Sequence, residues 1–133
     1  MSLDRNPSRP IDAYKQIIDQ LVTETSHGVR EKAVVQENAF PDLSNDRTFN
    51  PFIKSLTTGQ REMLAQMLHA ERVAAIHDAL AVLTWWILSG GVGLTFRGDR
   101  MPVELSGAGL HGDYIGRLDD WQWPKDDTQP APQ

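Results

Sequence analysis

The stretch from Glu62 to Leu88 constrains the fold most, because it lies in the longest run of the chain without glycine or proline. It is also the most apolar part of the sequence, and it holds two of the four histidines and two of the four tryptophans. Thr57 followed by Gln60 has the spacing of a capping box, and Gly90-Gly91 is a typical helix stop. The sequence therefore predicts one long central helix, with the remaining chain packed around it.

The apolar positions of this predicted helix change face part-way along it. At about 100° per residue, the first two turns present one apolar side, made by Leu64, Met67 and Leu68. Later residues form a stripe on another side: Val73, Ile76, Leu80, Leu83 and Ile87, widened by Ala75, Ala79, Val82 and Trp86. The change falls at His69–Arg72, so the two halves pack on different neighbours or the helix bends. Arg72 lies inside the widened stripe, where we expect a carboxylate partner or partial exposure.

Another amphipathic helix is predicted ahead of the central one, because apolar residues recur at three- and four-residue steps over Ile11–Val22. Gly28 is expected to end it, and residues 29–40 continue the helix or form a second short one before Pro41. Residues 41–57 are rich in Pro, Asn, Asp, Ser and Thr, which predicts a long loop. We expect three apolar side chains to anchor that loop: Phe49, Phe52 and Ile53.

Extended structure is predicted after the central helix. Residues 92–97 and 100–105 flank Gly98-Asp99, a two-residue hairpin signal, and residues 113–121 are predicted as a third strand. Because helices come first and strands last, the predicted fold class is α+β. It consists of N-terminal helices, including the long central one, followed by a small antiparallel C-terminal sheet built from residues 92–118.

The chain has 133 residues, which is the length of one domain. We expect a single α+β domain over residues 11–125. Residues 1–10 hold two prolines and no apolar periodicity, which predicts a flexible arm. Residues 126–133 are predicted to be a disordered tail.

Composition argues against several function classes. Thirteen basic and eighteen acidic residues give a net charge of −5, and no basic cluster is present, so no nucleic-acid partner is expected. Cysteine is absent, which excludes disulfides and thiolate metal sites. No apolar run is long enough to cross a bilayer and no secretory signal is recognisable, so we expect no membrane partner and a cytoplasmic location.

Polar residues gather along one part of the central helix. Glu71 and Asp78 lie on one edge, beside Arg72, while His77 lies on the side shared with Thr84. Two carboxylates on one face can serve as acid and base or hold a cation. They more often form a solvated face or pair with an arginine, so the structural interpretation is favoured.

His111 and Asp113 are the second group of candidates, in a predicted glycine-rich loop where side chains can converge on a ligand. The favoured interpretation is again structural, with Asp113 making a hydrogen bond in a turn. If this loop folds over the central helix, both groups could form one ligand-binding site. A metal site is not predicted, because His69 and His77 lack the spacing of a zinc helix, and no cofactor motif is present.

Two tryptophans are candidates for an interface. Trp85 points away from the main apolar stripe, and Trp121 lies in the C-terminal segment. Two function hypotheses remain open. The first is a small non-catalytic interaction or regulatory module that binds a protein partner or itself, as a homodimer. The alternative is an enzyme or small-ligand-binding protein that uses the two polar groups. A pocket holding both groups favours the second, and an exposed apolar patch near Trp85 or Trp121 favours the first.

The segment GLHGDYIGRLDDWQWP at residues 109–124, with Glu71-Arg72 and His77-Asp78 upstream, resembles the C-terminal stretch of small uncharacterised bacterial proteins. This resemblance implies a bacterial origin. It implies no activity, cofactor or partner.

Overall fold

The protein is an α+β chain dominated by helices. A computed structural model describes residues 6–41 and 46–125. The elements in chain order are α1 (Pro10–His27), α2 (Val29–Lys32), a π-helical segment (Ala33–Glu37), α3 (Asp46–Lys54), α4 (Thr58–Ser89), β1 (Thr95–Phe96), β2 (Asp99–Arg100) and α5 (Gly109–Leu118). The predicted fold class is confirmed. Residues 1–5 of the predicted arm and the tail predicted over 126–133 lie outside the described residues.

Helices α1 and α4 begin and end where local signals place them. Gly28 follows α1 with a φ of 53°, a left-handed conformation that suits glycine. The capping box of α4 forms in both directions. Gln60 N–H donates to Thr57 Oγ1 at 3.1 Å, and Thr57 N–H donates to Gln60 Oε1 at 2.9 Å. Local chain chemistry therefore sets the limits of the two longest helices.

The long loop predicted over residues 41–57 is wrong, because α3 occupies its second half. The apolar residues of that segment recur at three- and four-residue steps, as in a helix. Of the three expected anchors only Ile53 is buried, whereas Phe49 and Phe52 are 39 % and 57 % exposed. Asn50 Oδ1 also accepts the Phe40 N–H at 2.8 Å, which holds the helix to the preceding chain. Turn-forming residues in the sequence concealed this helical spacing.

The third strand predicted over residues 113–121 is also wrong, because those residues lie largely in α5. The sheet has two strands of two residues each, with Thr95 opposite Arg100 and Phe96 opposite Asp99. Its turn is formed by Arg97-Gly98, one residue earlier than predicted. Both turn residues have positive φ, of 51° and 87°, as a type I′ turn requires.

The chain divides into two compact units. Among the described residues, the first unit comprises 6–23 and 75–125, and the second comprises 24–41 and 46–74. Helix α4 contributes residues 58–74 to the second unit and 75–89 to the first. The change of apolar face predicted at His69–Arg72 therefore coincides closely with a change of packing neighbours.

The core of the first unit is centred on α1 and α5, not on α4. Tyr14 and Ile18 from α1 are buried, as are Leu110 and Tyr114 from α5. On α4 the only buried residue among those described is Thr84. The prediction that the chain packs around a central apolar helix is therefore wrong in this respect, because much of α4's apolar surface stays exposed. Within the described part of the chain, no helix is both long and apolar enough to cross a membrane.

Candidate functional site

Asp113 lies on α5 and is completely buried, so its predicted position in a glycine-rich loop is wrong. Its carboxylate accepts the Leu105 and Ser106 N–H groups, each at 2.8 Å. The same carboxylate accepts a short hydrogen bond from the hydroxyl of Tyr14 on α1. Asp113 thus ties the segment before α5 to α1, and its oxygens face protein groups.

The Tyr14 hydroxyl completes this cluster. Burial, reinforced by the hydrogen bond to Asp113, raises the pKa of Tyr14 well above the usual tyrosine range. The phenol therefore stays protonated and donates to the carboxylate, while it accepts the Glu104 N–H at 3.3 Å. Glu104 has a φ of 59°, a left-handed conformation that these bonds help to hold. We infer that Asp113 is structural, as its sequence context favoured.

Three of the predicted site residues come together elsewhere in the first unit. The rings of His77 on α4 and His111 on α5 meet edge to face, with centroids 5.0 Å apart. His77 Nδ1 also lies 3.1 Å from a carboxylate oxygen of Asp78, whose side chain is 80 % exposed. This contact brings α4 and α5 together at a partly exposed position.

Thr84 fixes the start of α5 against α4. Its hydroxyl donates to the Leu80 carbonyl at 2.8 Å and accepts the Leu110 N–H at 3.0 Å. It therefore satisfies a free N–H at the first turn of α5, where the N-cap residue Ala108 supplies no side-chain bond. His111 Nδ1 lies 3.4 Å from the same hydroxyl. The predicted placement of His77 and Thr84 on one side of the helix explains why both contact His111.

Gly109 makes room for this arrangement. Its φ is 84°, and a Cβ added there would collide with the His111 ring and lie 3.1 Å from Thr84 Cγ2. We expect Gly109→Ala to lower the free energy of unfolding by about 2–3 kcal/mol, through backbone strain and displacement of His111. Urea denaturation measures the loss. Gly107→Ala is the matched control, because Gly107 has a φ of 80° but a Cβ there would meet no atom within 4 Å. Its cost should be about 1 kcal/mol, and equal costs for the two variants would exclude the steric contribution.

Glu71 and Arg72 belong to the second unit. Glu71 is exposed, whereas Arg72 forms an ion pair with Glu31 of α2, at 3.2 Å between Nη2 and Oε1. The Glu31 side chain is 10 % exposed, and neither of its carboxylate oxygens has a well-aligned hydrogen bond among the described residues. The contact is thus mainly electrostatic. The predicted carboxylate partner of Arg72 is confirmed.

Trp121, a predicted interface residue, is partly buried by its own chain. Its backbone N–H donates to the Gly116 carbonyl at 2.8 Å. Its ring meets that of Trp123 edge to face, with centroids 5.3 Å apart. Asp19 of α1 accepts from Trp123 Nε1 at 3.0 Å and from Arg117 Nε at 2.7 Å. The segment after α5 is therefore bound to α1.

Trp85, the other predicted interface residue, lies on an exposed apolar side of α4. Val82, Trp85 and Trp86 are 61 %, 57 % and 49 % exposed. The residues one turn or more earlier on this side are small or polar, and also exposed: Ala75, Asp78 and Ala79. Three large apolar side chains at successive positions of one helix side form a patch, which we call the α4 face.

The tryptophans of the α4 face are held in place. Their rings meet edge to face, with centroids 5.1 Å apart and an interplanar angle of 87°. The Trp86 ring also rests on Gly90, where an added Cβ would lie 3.0 Å from ring atom Cζ3. Trp86 O accepts the Gly90 N–H at 2.9 Å and the Val92 N–H at 3.2 Å. The two exposed rings therefore rest on each other, and the Trp86 ring also rests on Gly90.

An open cleft lies beside the C-terminal end of α4. Ile87, Val92, Thr95 and Arg100 line it, together with glycines of the connecting segment. None of the six predicted ligand-binding residues lines this cleft. Across residues 6–41 and 46–125, no group of three or more His, Cys, Asp or Glu side chains is arranged to hold a metal ion.

Comparison with known protein families shows which family the chain belongs to. Residues 7–125 match the family of unknown function DUF6547. The chain belongs to that family. The DUF6547 match spans every described helix and both strands, and it confirms the predicted membership in an uncharacterised family. No curated protein matches the chain, and no solved structure matches it. The bacterial origin that the resemblance implied stays a prediction.

Sequence reasoning missed three residues that define these features of the DUF6547 chain. Tyr14 was assigned only to an apolar face, although its hydroxyl is the partner of Asp113. Val82 and Trp86 were expected to widen the packed stripe of α4, yet both are exposed. A threonine or tyrosine among apolar helical positions signals that a hydroxyl needs a partner, but the partner lies far away in sequence.

Proposed function

We propose that this protein is a non-catalytic interaction module that docks a protein through the α4 face. The observation that carries the proposal is the half-exposure of Trp85 and Trp86, side by side with the more exposed Val82. The other tryptophans of the first unit, Trp121 and Trp123, are engaged by its own side chains. Adjacent exposed tryptophans whose rings pack together are well suited to anchor an interface.

A second candidate is a ligand site at the His77–His111 contact. The observation in its favour is the approach of two imidazoles that are 34 positions apart in sequence. It has less support, because Asp113 is engaged by Tyr14 and the backbone, and these side chains do not line the open cleft. The exposed aromatic surface of α4 favours docking over ligand binding.

Site-specific photo-crosslinking tests the docking proposal. A photoreactive benzoylphenylalanine in place of Val82 should give a discrete protein adduct in an extract of cells that naturally produce this protein. The reason is that Val82 lies at the centre of the α4 face. Excess unlabelled wild-type chain should compete for adduct formation. Excess Trp85→Ser/Trp86→Ser chain should not, because truncating interface tryptophans typically weakens binding by roughly thirtyfold.

The matched control places the same photoreactive residue at Ile17, which is 48 % exposed on α1 of the same unit. This control should give no competable adduct. The competitor chain must be folded, so its free energy of unfolding should stay within about 1 kcal/mol of wild type. Equal adducts from both positions, or none from Val82, would reject the α4 face as the docking surface.

A further inference from the structure

We infer that the partner of the α4 face is a second copy of this chain, packed antiparallel with Val82 on the two-fold axis. The inference rests on the proposed function and deepens it by naming the occupant. In a two-fold dimer the same patch faces itself, so large side chains away from the axis pack best against small or polar ones at the symmetric positions. The α4 face has this arrangement on both sides of Val82.

Side-chain sizes on the α4 face are divided about Val82. The two exposed tryptophans, Trp85 and Trp86, lie on the C-terminal side, and Ala75 and Ala79 lie on the N-terminal side. With Val82 opposite itself, an antiparallel partner brings Trp86 against Ala79 and Ser89 close to Ala75. Bulky rings then fill the space above alanines, as close packing at an interface requires.

A parallel pair would fit less well. It would bring all four tryptophans to the same level and hold the helices apart there. Ala75 and Ala79 would then face Ala75 and Ala79, leaving a gap that neither side chain can fill. The division of sizes along the helix therefore selects the antiparallel orientation.

Polar groups agree with the same register. Trp85 would lie beside Asp78 of the second copy, and the Asp78 side chain is 80 % exposed. Among the described residues, neither exposed indole N–H has a hydrogen-bond partner within the chain. The carboxylate can accept the Trp85 indole N–H across the interface, which places a charge-assisted bond on each side of the two-fold axis.

The size of the patch sets the expected affinity. Two tryptophans that are about half exposed leave on the order of 250 Å² of aromatic surface on each copy. With Val82 and the flanking residues, pairing would bury roughly 1,000 Å² in total, at the lower end of specific interfaces. We therefore expect a reversible dimer with a dissociation constant in the micromolar range.

Disulfide trapping tests the register, and the absence of cysteine from the sequence makes it clean. Ala75→Cys and Ser89→Cys are both exposed positions that leave Val82 and the tryptophans intact. The equimolar mixture of the two single variants should crosslink under mild oxidation as the mixed dimer, several-fold above either variant alone. Predominant crosslinking of Ala75→Cys to itself would overturn the antiparallel arrangement.

Sedimentation equilibrium over a concentration series tests dimerisation itself. Wild-type chain should move from one to two chain masses, and Trp85→Ser should weaken dimerisation by roughly thirtyfold, as for other interface tryptophans. Ile17→Ser, the matched exposed apolar control, should dimerise as wild type does. A wild-type chain that stays monomeric to millimolar concentration overturns self-association. If self-association fails in this way but the Val82 adduct is competable, the proposed docking function still stands. If that adduct is also absent, both proposals fail.

Discussion

Replacing Asp113 by asparagine is expected to lower the free energy of unfolding by about 3–5 kcal/mol. The carboxylate accepts hydrogen bonds from the Leu105 and Ser106 N–H groups and from the Tyr14 hydroxyl, all in a fully buried position. An amide keeps one acceptor oxygen and turns a donor toward at least one of these N–H groups. A buried donor without an acceptor costs its full desolvation free energy. Urea denaturation followed by circular dichroism measures the loss.

Two matched variants isolate the cause. Asp119→Asn changes an exposed aspartate at the C-terminal end of the same helix and should stay within about 0.5 kcal/mol of wild type. Tyr14→Phe removes the hydroxyl that donates to Asp113 and accepts the Glu104 N–H, but it leaves both backbone bonds of the carboxylate, so it should cost less, about 1–2 kcal/mol. An Asp113→Asn variant as stable as wild type would contradict the structural assignment and return Asp113 to the ligand-binding candidates.

Arg72→Leu is expected to lower the free energy of unfolding by about 3 kcal/mol. The change leaves the Glu31 carboxylate, 10 % exposed, without its positive partner. Gly28 packs beside the same carboxylate, since an added Cβ there would be 2.9 Å from Glu31 Oε2. In this buried position the unpaired charge carries a desolvation cost. Urea denaturation again provides the measurement.

The double variant Glu31→Leu/Arg72→Leu tests why Arg72→Leu loses stability. It distinguishes the loss of the attraction between the two side chains from the cost of leaving the Glu31 charge buried and unpaired. Replacing both partners by apolar residues should recover most of the stability, since a buried ion pair costs desolvation on both sides. Glu71→Leu, at the exposed neighbouring position, should change stability by less than about 0.5 kcal/mol. A double variant no more stable than Arg72→Leu would show that packing, and not charge, dominates this contact.

Features of the fold that depend on neighbouring residues could be predicted from the sequence. The capping box of α4 and the glycine after α1 are local signals, and both operate in the structure. The partner of Arg72 was predictable as a residue type, since a guanidinium inside an apolar stripe needs a carboxylate. Its identity as Glu31 was not, because the two residues are 41 positions apart.

Helix α5 was missed because side-chain packing, and not a turn, explains its glycines. An added Cβ at Gly116 would lie 3.3 Å from a ring atom of Trp121, and one at Gly112 would press on Ala108. The glycines admit close neighbours, although in a local interpretation they lower helix propensity. Tyr114, Gly116 and Leu118 also alternate as in a strand, whereas the residues that the structure buries, Leu110, Asp113 and Tyr114, have helical spacing.

The candidate surfaces were predictable only as far as helical register allows. Register correctly placed Thr84 and His77 on one side of α4 and Trp85 away from the main stripe. It could not show that His111 would meet that side, since this depends on the path of residues 90–108. Nor could it show that Val82 and Trp86 stay exposed, because burial depends on which elements cover the helix.

The first unit is built from two segments that are separated in sequence by the second unit, and this has a consequence for biosynthesis. The partners of Tyr14 come from residues 104–123, so they are translated 90 or more positions after it. Residues 24–74, by contrast, are contiguous and are synthesised early. On the ribosome, the second unit can therefore assemble while the first helix still exposes Tyr14 and Ile18 to solvent. Closing the long loop between Tyr14 and residues 104–123 is entropically costly, and it must await the synthesis of those residues.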